Sequence, residues 1–288
     1  MSIRTILAAA SGGSATTGAV ELACQLARRF EAHLEGFHVL PDAAAVLATT
    51  GDLIGGPASV GLIETVKEEA AAKATEARAL FDDITARHGI SHGAVPQVAA
   101  LRPTVCWRQE EGSAPALVAH RAKFFDLIVL GRSDRIVKEP HSDTIEEVLL
   151  RSGRPVLVAP GEPPAGIGYV VAIGWNGSEQ AVRALSAALP WLGKASTVLL
   201  LTAGDTAPAD GQAAVDYLAW HEISAEQRKI TNGSGRHVGR ALLEAAREAG
   251  ADMLVMGGYG HSPWREQLLG GATRTALATT PLPLLLVH

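Results

Sequence analysis

The densest run of chemistry-bearing residues lies near the C-terminus. It reads Gly257-Gly258-Tyr259-Gly260-His261-Ser262, then Pro263 to Leu269, then Gly270-Gly271-Ala272-Thr273. Its skeleton is Gly257, two residues, Gly260, nine residues, Gly270. Glycines have no Cβ, so the backbone can approach a phosphate closely and adopt φ > 0. Successive N–H groups in such a turn form an anion-binding concavity. The segment Gly270–Thr273 adds further N–H donors and one hydroxyl. His261 and Ser262 are candidate donors to phosphate; as neighbours in sequence they are badly placed for a nucleophile–base pair. The alternative for the same glycines is a tight turn with close helix–sheet packing. A second polar turn, Gly174-Trp175-Asn176-Gly177-Ser178, follows an apolar stretch. Trp175 there would either stack on a base or cover a sheet edge.

Other chemistries lack their residues. There is no Gly-x4-Gly-Lys-[Ser/Thr] loop, no Gly-x-Gly-x-x-Gly, no His-Glu-x-x-His and no Gly-x-Ser-x-Gly. His33, His38, His88 and His92 have no ligand spacing and read as isolated structural histidines. Cys24 and Cys106 read as buried, inert thiols. Trp191 and Trp220 fall at apolar helical positions and read as packing. No catalytic residue and no metal site is expected.

The elements that position the glycine run occur twice. Asp126-Leu127-Ile128-Val129-Leu130-Gly131 matches Asp252-Met253-Leu254-Val255-Met256-Gly257. Pro155-Val156-Leu157-Val158 matches Pro283-Leu284-Leu285-Leu286. At the starts, Ile6–Ala9 followed by Gly13-Ser14 matches Val170–Ile173 followed by Gly177-Ser178. Three matched segments in one order indicate a tandem duplication. The Pro/Gly run 160–166 marks the boundary, giving domains 1–160 and 161–288. In the second copy, strands are expected near 169–174, 196–203, 225–231, 252–257 and 283–288. Helices are expected near 178–191, 209–221, 236–249 and 265–279. Short apolar strands alternating with helices imply a parallel sheet covered on both faces, a doubly wound α/β domain. The first copy adds a loop at 41–58 and a long helix at 59–88. Glu64, Glu68, Glu69, Lys73, Glu76 and Arg78 read as its solvated face.

Composition fits this layout. The 288 residues suggest about two domains. They are 47% apolar and 19% charged, which excludes a disordered chain. Net charge is −3 over residues 1–160 and −2 over 161–288, so neither nucleic acid nor an anionic membrane has a basic surface to meet. No apolar run approaches the roughly 18 residues of a membrane span. Met1–Leu7 reads as the entry to a first strand and not as a secretory leader. Two unclustered thiols read as cytoplasmic.

The pattern Gly-x2-Gly-x9-Gly, after an Asp-led apolar strand and before a helix and an X-Pro strand, resembles the universal stress protein family. The duplicated layout resembles its two-domain members. The resemblance implies a five-stranded parallel sheet flanked by helices in each copy. It implies an adenine nucleotide, ATP or else AMP or ADP, with Mg²⁺ as a companion. Adenine and ribose would lie against Gly174, Trp175 and Asn176, and the backbone near Ala203 would meet the base. Phosphates would sit on the loop entered through Met256 and Gly257, at Gly260, His261 and Ser262 and at Gly270, Gly271, Ala272 and Thr273. Asn176 stands where the family's binders have Asp, so the ribose contact there carries no charge. Gly271 stands where a Ser or Thr is usual, which removes one hydroxyl. In the first copy, Asp134 takes the second glycine's place and Ser142-Asp143 the third's; carboxylates repel phosphate, so this copy is expected not to bind it.

Three functions follow. The leading one is a stress-response regulator that binds nucleotide without dedicated chemistry. The others are a scaffold of the same fold that binds none, and a weak nucleotide hydrolase. The resemblance also implies pairing of the two copies through their last strands, burying Val156, Val158, Leu284 and Leu286, with homodimerisation of chains as a further expectation.

Overall fold

The computed structural model describes residues 2–43, 45, 57–93, 103–132, 141–162, 164–203, 208–230, 238–258 and 271–288. In the second copy, strands β7 (Val170–Trp175), β8 (Thr197–Ala203), β9 (Glu226–Ile230), β10 (Met253–Gly257) and β11 (Leu284–Val287) alternate with helices. Those helices are α5 (Glu179–Leu192), α6 (Pro208–Trp220), α7 (Val238–Glu248) and α8 (Gly271–Thr279). Each lies within two residues of its expected bounds except α8, whose expected residues 265–270 lie outside the described residues. The strands order as β11-β10-β7-β8-β9, all parallel, so the chain winds outward from β7 in both directions.

The first copy repeats this order with β1 (Thr5–Ala9), β2 (His33–Leu40), β4 (Thr104–Glu111), β5 (Leu127–Gly131) and β6 (Val156–Ala159). It adds an edge strand of two residues, β3 (Ser91–His92), beside β4. Its helices are α1 (Gly13–Phe30), α2 (Pro57–Arg87), α3 (Ala114–Ala122) and α4 (His141–Arg151). On α2, Glu64, Glu68, Glu69, Lys73 and Glu76 are exposed as expected, while Arg78 is half-buried and pairs with Asp82 at 2.7 Å.

One sheet of eleven strands results, because β6 and β11 pair antiparallel with Val156 opposite Leu286, Leu157 opposite Leu285 and Val158 opposite Leu284. All six side chains are buried. Core residues of α1, α2, α5 and α6 share one buried cluster, those of α3, α4, α7 and α8 the other, so each helix set covers one sheet face. At about 1.5–3 kcal/mol per buried aliphatic side chain, this burial dominates the stability of both copies. Arg29 of α1 ties the copies further. Its guanidinium donates to the carbonyls of Ile167, Gly168 and Lys194, and Phe30 meets Trp191 edge-on at 5.0 Å.

The repeated Asp has a structural cause. Asp126 Oδ2 accepts from the N–H groups of Arg4 (2.8 Å) and Thr5 (3.0 Å). Asp252 accepts from those of Gly168 (2.6 Å), Tyr169 (2.9 Å) and Val170 (3.1 Å). Each carboxylate satisfies the unpaired donors where its copy's first strand begins.

Three expectations need correcting. Pairing register sets Leu7 beside Ile128 and Ala172 beside Leu254, so Gly12 and Gly177, both at positive φ, are the true counterparts; the match of Gly13 with Gly177 is one residue out. Alternation on a strand makes such a slip costly, since it exchanges the two faces. Trp220 is 87% exposed at the end of α6 and packs in no core. Cys106 is only half-buried; its Sγ lies 3.3 Å from His33 Nε2 and 3.6 Å from the buried Glu35, whose carboxylate is held bidentately by Arg121 at 2.7 Å. Burial, then the Glu35 charge, pushes its thiol up to about 11, and burial pushes Cys24 up to about 12, so both remain protonated near neutrality.

Candidate functional site

The carboxyl edge of the second copy's sheet carries the predicted turn. β7 ends at Trp175, and the chain turns at Gly177 with φ of 72°. Ser178 caps α5: its Oγ accepts from Ala181 N–H at 3.2 Å. Asn176 Oδ1 accepts from both the N–H (3.1 Å) and the Oγ (2.7 Å) of Ser178. The Asn176 oxygen is therefore occupied in shaping the turn, a local bond that polar side chains favour at helix starts. Trp175 is 8% exposed and belongs to the same buried cluster as Ala181, Ala214 and Leu218, so the ring covers the sheet and leaves little face for a base. Its Nε1–H and the Gln180 Oε1 are buried without a hydrogen-bond partner among the described residues, an uncommon state for buried polar atoms.

The glycines divide by their surroundings. A Cβ on Gly257 would sit 2.7 Å from Ala181 N and Gln180 C, so the start of α5 presses on the end of β10. Its counterpart Gly131 is tighter still, with a Cβ 2.0 Å from the Ala15 carbonyl oxygen. Close packing thus demands glycine at Gly257 whether or not a phosphate is near. At Gly174 a Cβ would meet Leu242 and Met256 at 3.5 Å, which is ordinary contact. Met256 is a buried core residue beside Gly174. Ala203 ends β8 next to Ile230. Gly260, His261, Ser262 and Gly270 lie outside the described residues. Gly271, Ala272 and Thr273 are the first described residues of α8, with the Thr273 side chain buried. β10 ends at the carboxyl edge and β11 starts at the opposite one, so the N-terminal end of α8 lies toward the edge that carries the Trp175–Ser178 turn.

Sequence reasoning missed two features here. Asp210 of α6 comes to the rim, its Oδ2 3.6 Å from where a Cβ on Gly177 would stand. Nothing in its spacing marked it. The second is an open cavity of about 260 Å³ at the matching edge of the first copy. Its lining includes Ala9, Ser11, Val39, Leu130 and Gly131. In strand register these stand for Gly174, Asn176, Ala203, Met256 and Gly257. This cavity lies in the copy that is expected not to bind nucleotide. Among the described residues no group of three or more His, Cys, Asp or Glu could hold a metal ion, and no helix is long and apolar enough to cross a membrane.

The family model described as the universal stress protein family matches residues 170–288. That segment, the second copy, is similar to the universal stress protein family. The solved structure of a universal stress protein from Archaeoglobus fulgidus DSM 4304 is similar over nearly the whole chain, with a TM-score of 0.69 at 15% identity, covering 98% of this chain and 97% of that one. A protein described as functionally unknown from Pseudomonas aeruginosa PAO1 gives 0.56 at 14% identity, covering 99% and 92%. A universal stress protein solved in complex with cAMP is 28% identical over 41% of this chain and 95% of that one, with a TM-score of 0.35. No curated protein matches the chain. At these identities the whole-chain likenesses show the fold: a large, mostly parallel sheet flanked by helices, as in universal stress proteins.

Proposed function

We propose that the second copy binds one adenine nucleotide, ATP in preference to AMP or ADP, with Mg²⁺ when triphosphate is bound, and that the chain is a stress-response regulator governed by that nucleotide. The observation that carries this reading is the placement of α8. Its described residues run from Gly271, directly after Gly-x2-Gly-x9-Gly, and its N-terminal end lies toward the carboxyl edge of the sheet that carries the Trp175–Ser178 turn. A helix start preceded by glycines is suited to phosphate.

The units 1–160 and 161–288 would work as a joined pair in the cytoplasm, held through β6 and β11, with a homodimer of chains as a further level. A tether of a few residues gives an effective concentration in the millimolar range. A second reading, a scaffold that binds no nucleotide, is favoured by two contacts: Asn176 Oδ1 is committed to Ser178, and Gly257 is required by the packing of α5. Nucleotide copurified with the chain, released by denaturation and separated on an ion-pairing column, decides between them. Stoichiometric adenine nucleotide supports the first; a nucleotide-free chain that also fails to take up added ATP supports the second.

A further inference from the structure

A second open cavity, of about 510 Å³, lies between the copies. The entry to β1, the end of α1 and the end of α5 wall it. These parts fall in two stretches described without a break, 2–43 and 164–203. The Trp175–Ser178 turn lies at the other end of α5, about 20 Å away along its axis. Four cations line the cavity, Arg4, Arg28, Arg29 and Lys194, against one carboxylate, Glu31. The whole chain carries −5, so the cavity reverses the sign of its surroundings. Two of the cations hold the joint. Arg29 donates to the Ile167, Gly168 and Lys194 carbonyls, and Lys194 Nζ donates to the Arg29 carbonyl at 3.1 Å. Neutral carbonyls leave both charges in place. The other two are idle: among the described residues the Arg4 and Arg28 side chains have no hydrogen-bond or ion-pair partner, and both residues are exposed. Nor does Glu31 pair with any of the four. The negative end of α1 accounts for basic residues at 28 and 29, but not for Arg4 at the entry to a strand.

We infer that this cavity binds a compact inorganic oligophosphate, two or three linked phosphates, held by the guanidinium groups of Arg4 and Arg28. A guanidinium presents a planar fork of donors that matches phosphate oxygens in pairs. Both groups can turn to a ligand without breaking a bond that the fold uses. Linked phosphates concentrate several negative charges in a small body, which suits a cavity with three cations in excess. Its volume falls within the ~300–1,000 Å³ of ligand sites. Phe30, the aromatic ring in the lining, is already met by Lys194 and by the edge of Trp191, so no ring face is offered to a base. That favours the free oligophosphate over a nucleotide. The walls come from both copies, so the bound anion would bridge them. The inference is independent of the nucleotide reading, because it uses other residues at the other end of α5.

The test is calorimetric titration of the full chain with inorganic tripolyphosphate, without Mg²⁺. Gly260→Asp is carried throughout, to take the glycine run out of the readout. The expected result is one saturable site with Kd below ~1 mM at low salt. Raising NaCl from ~0.05 to ~0.5 M should weaken it at least about tenfold. Arg4→Gln combined with Arg28→Gln should also weaken it at least about tenfold, with the circular dichroism unchanged. Glu31→Gln removes the one carboxylate in the lining and should tighten binding about threefold or more. ATP should bind here no more tightly than tripolyphosphate. Four results would each overturn the inference: no saturation, an affinity that the double variant leaves unchanged, no gain in Glu31→Gln, or an ATP affinity that exceeds that of tripolyphosphate and falls in the double variant.

Discussion

Replacing Gly257 by alanine separates packing from ligand chemistry at the end of β10. The new Cβ would lie 2.7 Å from backbone atoms of Gln180 and Ala181, well inside the 3.4 Å at which ordinary contact begins. Backbone cannot rotate away as a side-chain tip can, so α5 must shift. That helix carries Ala181, Ala184, Leu185 and Trp191 in the core, so the shift is transmitted. Overpacking of this kind costs about 1–3 kcal/mol. The loss of unfolded-chain freedom on Gly→Ala returns about 0.4–1 kcal/mol. The net loss is about 1–2 kcal/mol, lowering a urea midpoint by ~0.5–1 M. Gly174→Ala is the internal control, since its Cβ meets neighbours at 3.5 Å; its midpoint should match or slightly exceed the wild type. Urea melts followed by circular dichroism measure both. Equal midpoints for the two variants would refute the claim that α5 presses on Gly257.

Asp252→Ala should destabilise the second copy by about 2–4 kcal/mol, because three backbone N–H groups lose a charged acceptor; thermal melting checks this, and a shift under 1 °C would contradict it. Cys106, with its thiol pushed up to about 11, should alkylate with iodoacetamide at pH 8 about 100-fold more slowly than an unperturbed thiol, and its rate should rise with pH until that value. Leu286→Asp places a carboxylate opposite Val156, where every neighbour in the pairing is apolar. After limited proteolysis between Gly161 and Gly166, fragments of this variant should separate on a sizing column while wild-type fragments co-elute.

Much of the fold was legible because its signals are local. The strands of the second copy are short apolar runs bounded by Gly, Pro and Asp, and its helices keep a 3.6-residue period, as in α7 with Ala241, Leu242, Leu243 and Ala246 buried. What failed depended on contacts between distant segments. The apolar period around Trp220 placed it in a core, yet α6 ends there and the ring faces solvent. Sequence alone set Gly13 against Gly177, and only strand pairing showed the one-residue slip. Gly257 illustrates the limit at the site itself: its need for glycine arises from α5, whose approach spacing does not reveal. The first copy's cavity was invisible for the same reason. Its described lining comes from three strands and three helices, which spacing along the chain does not bring together.

The central claim is one adenine-nucleotide site per chain, in residues 161–288. Isothermal titration calorimetry of the full chain with ATP, ADP and AMP, with and without Mg²⁺, tests it most directly. The account predicts a stoichiometry of one per chain, lost in Gly260→Asp with the fold retained. That substitution sets a carboxylate beside phosphate, and two charges about 5 Å apart repel by roughly 3 kcal/mol at an effective dielectric near 20. Two equivalent sites, no heat with any nucleotide, or unchanged affinity in the folded variant would contradict it.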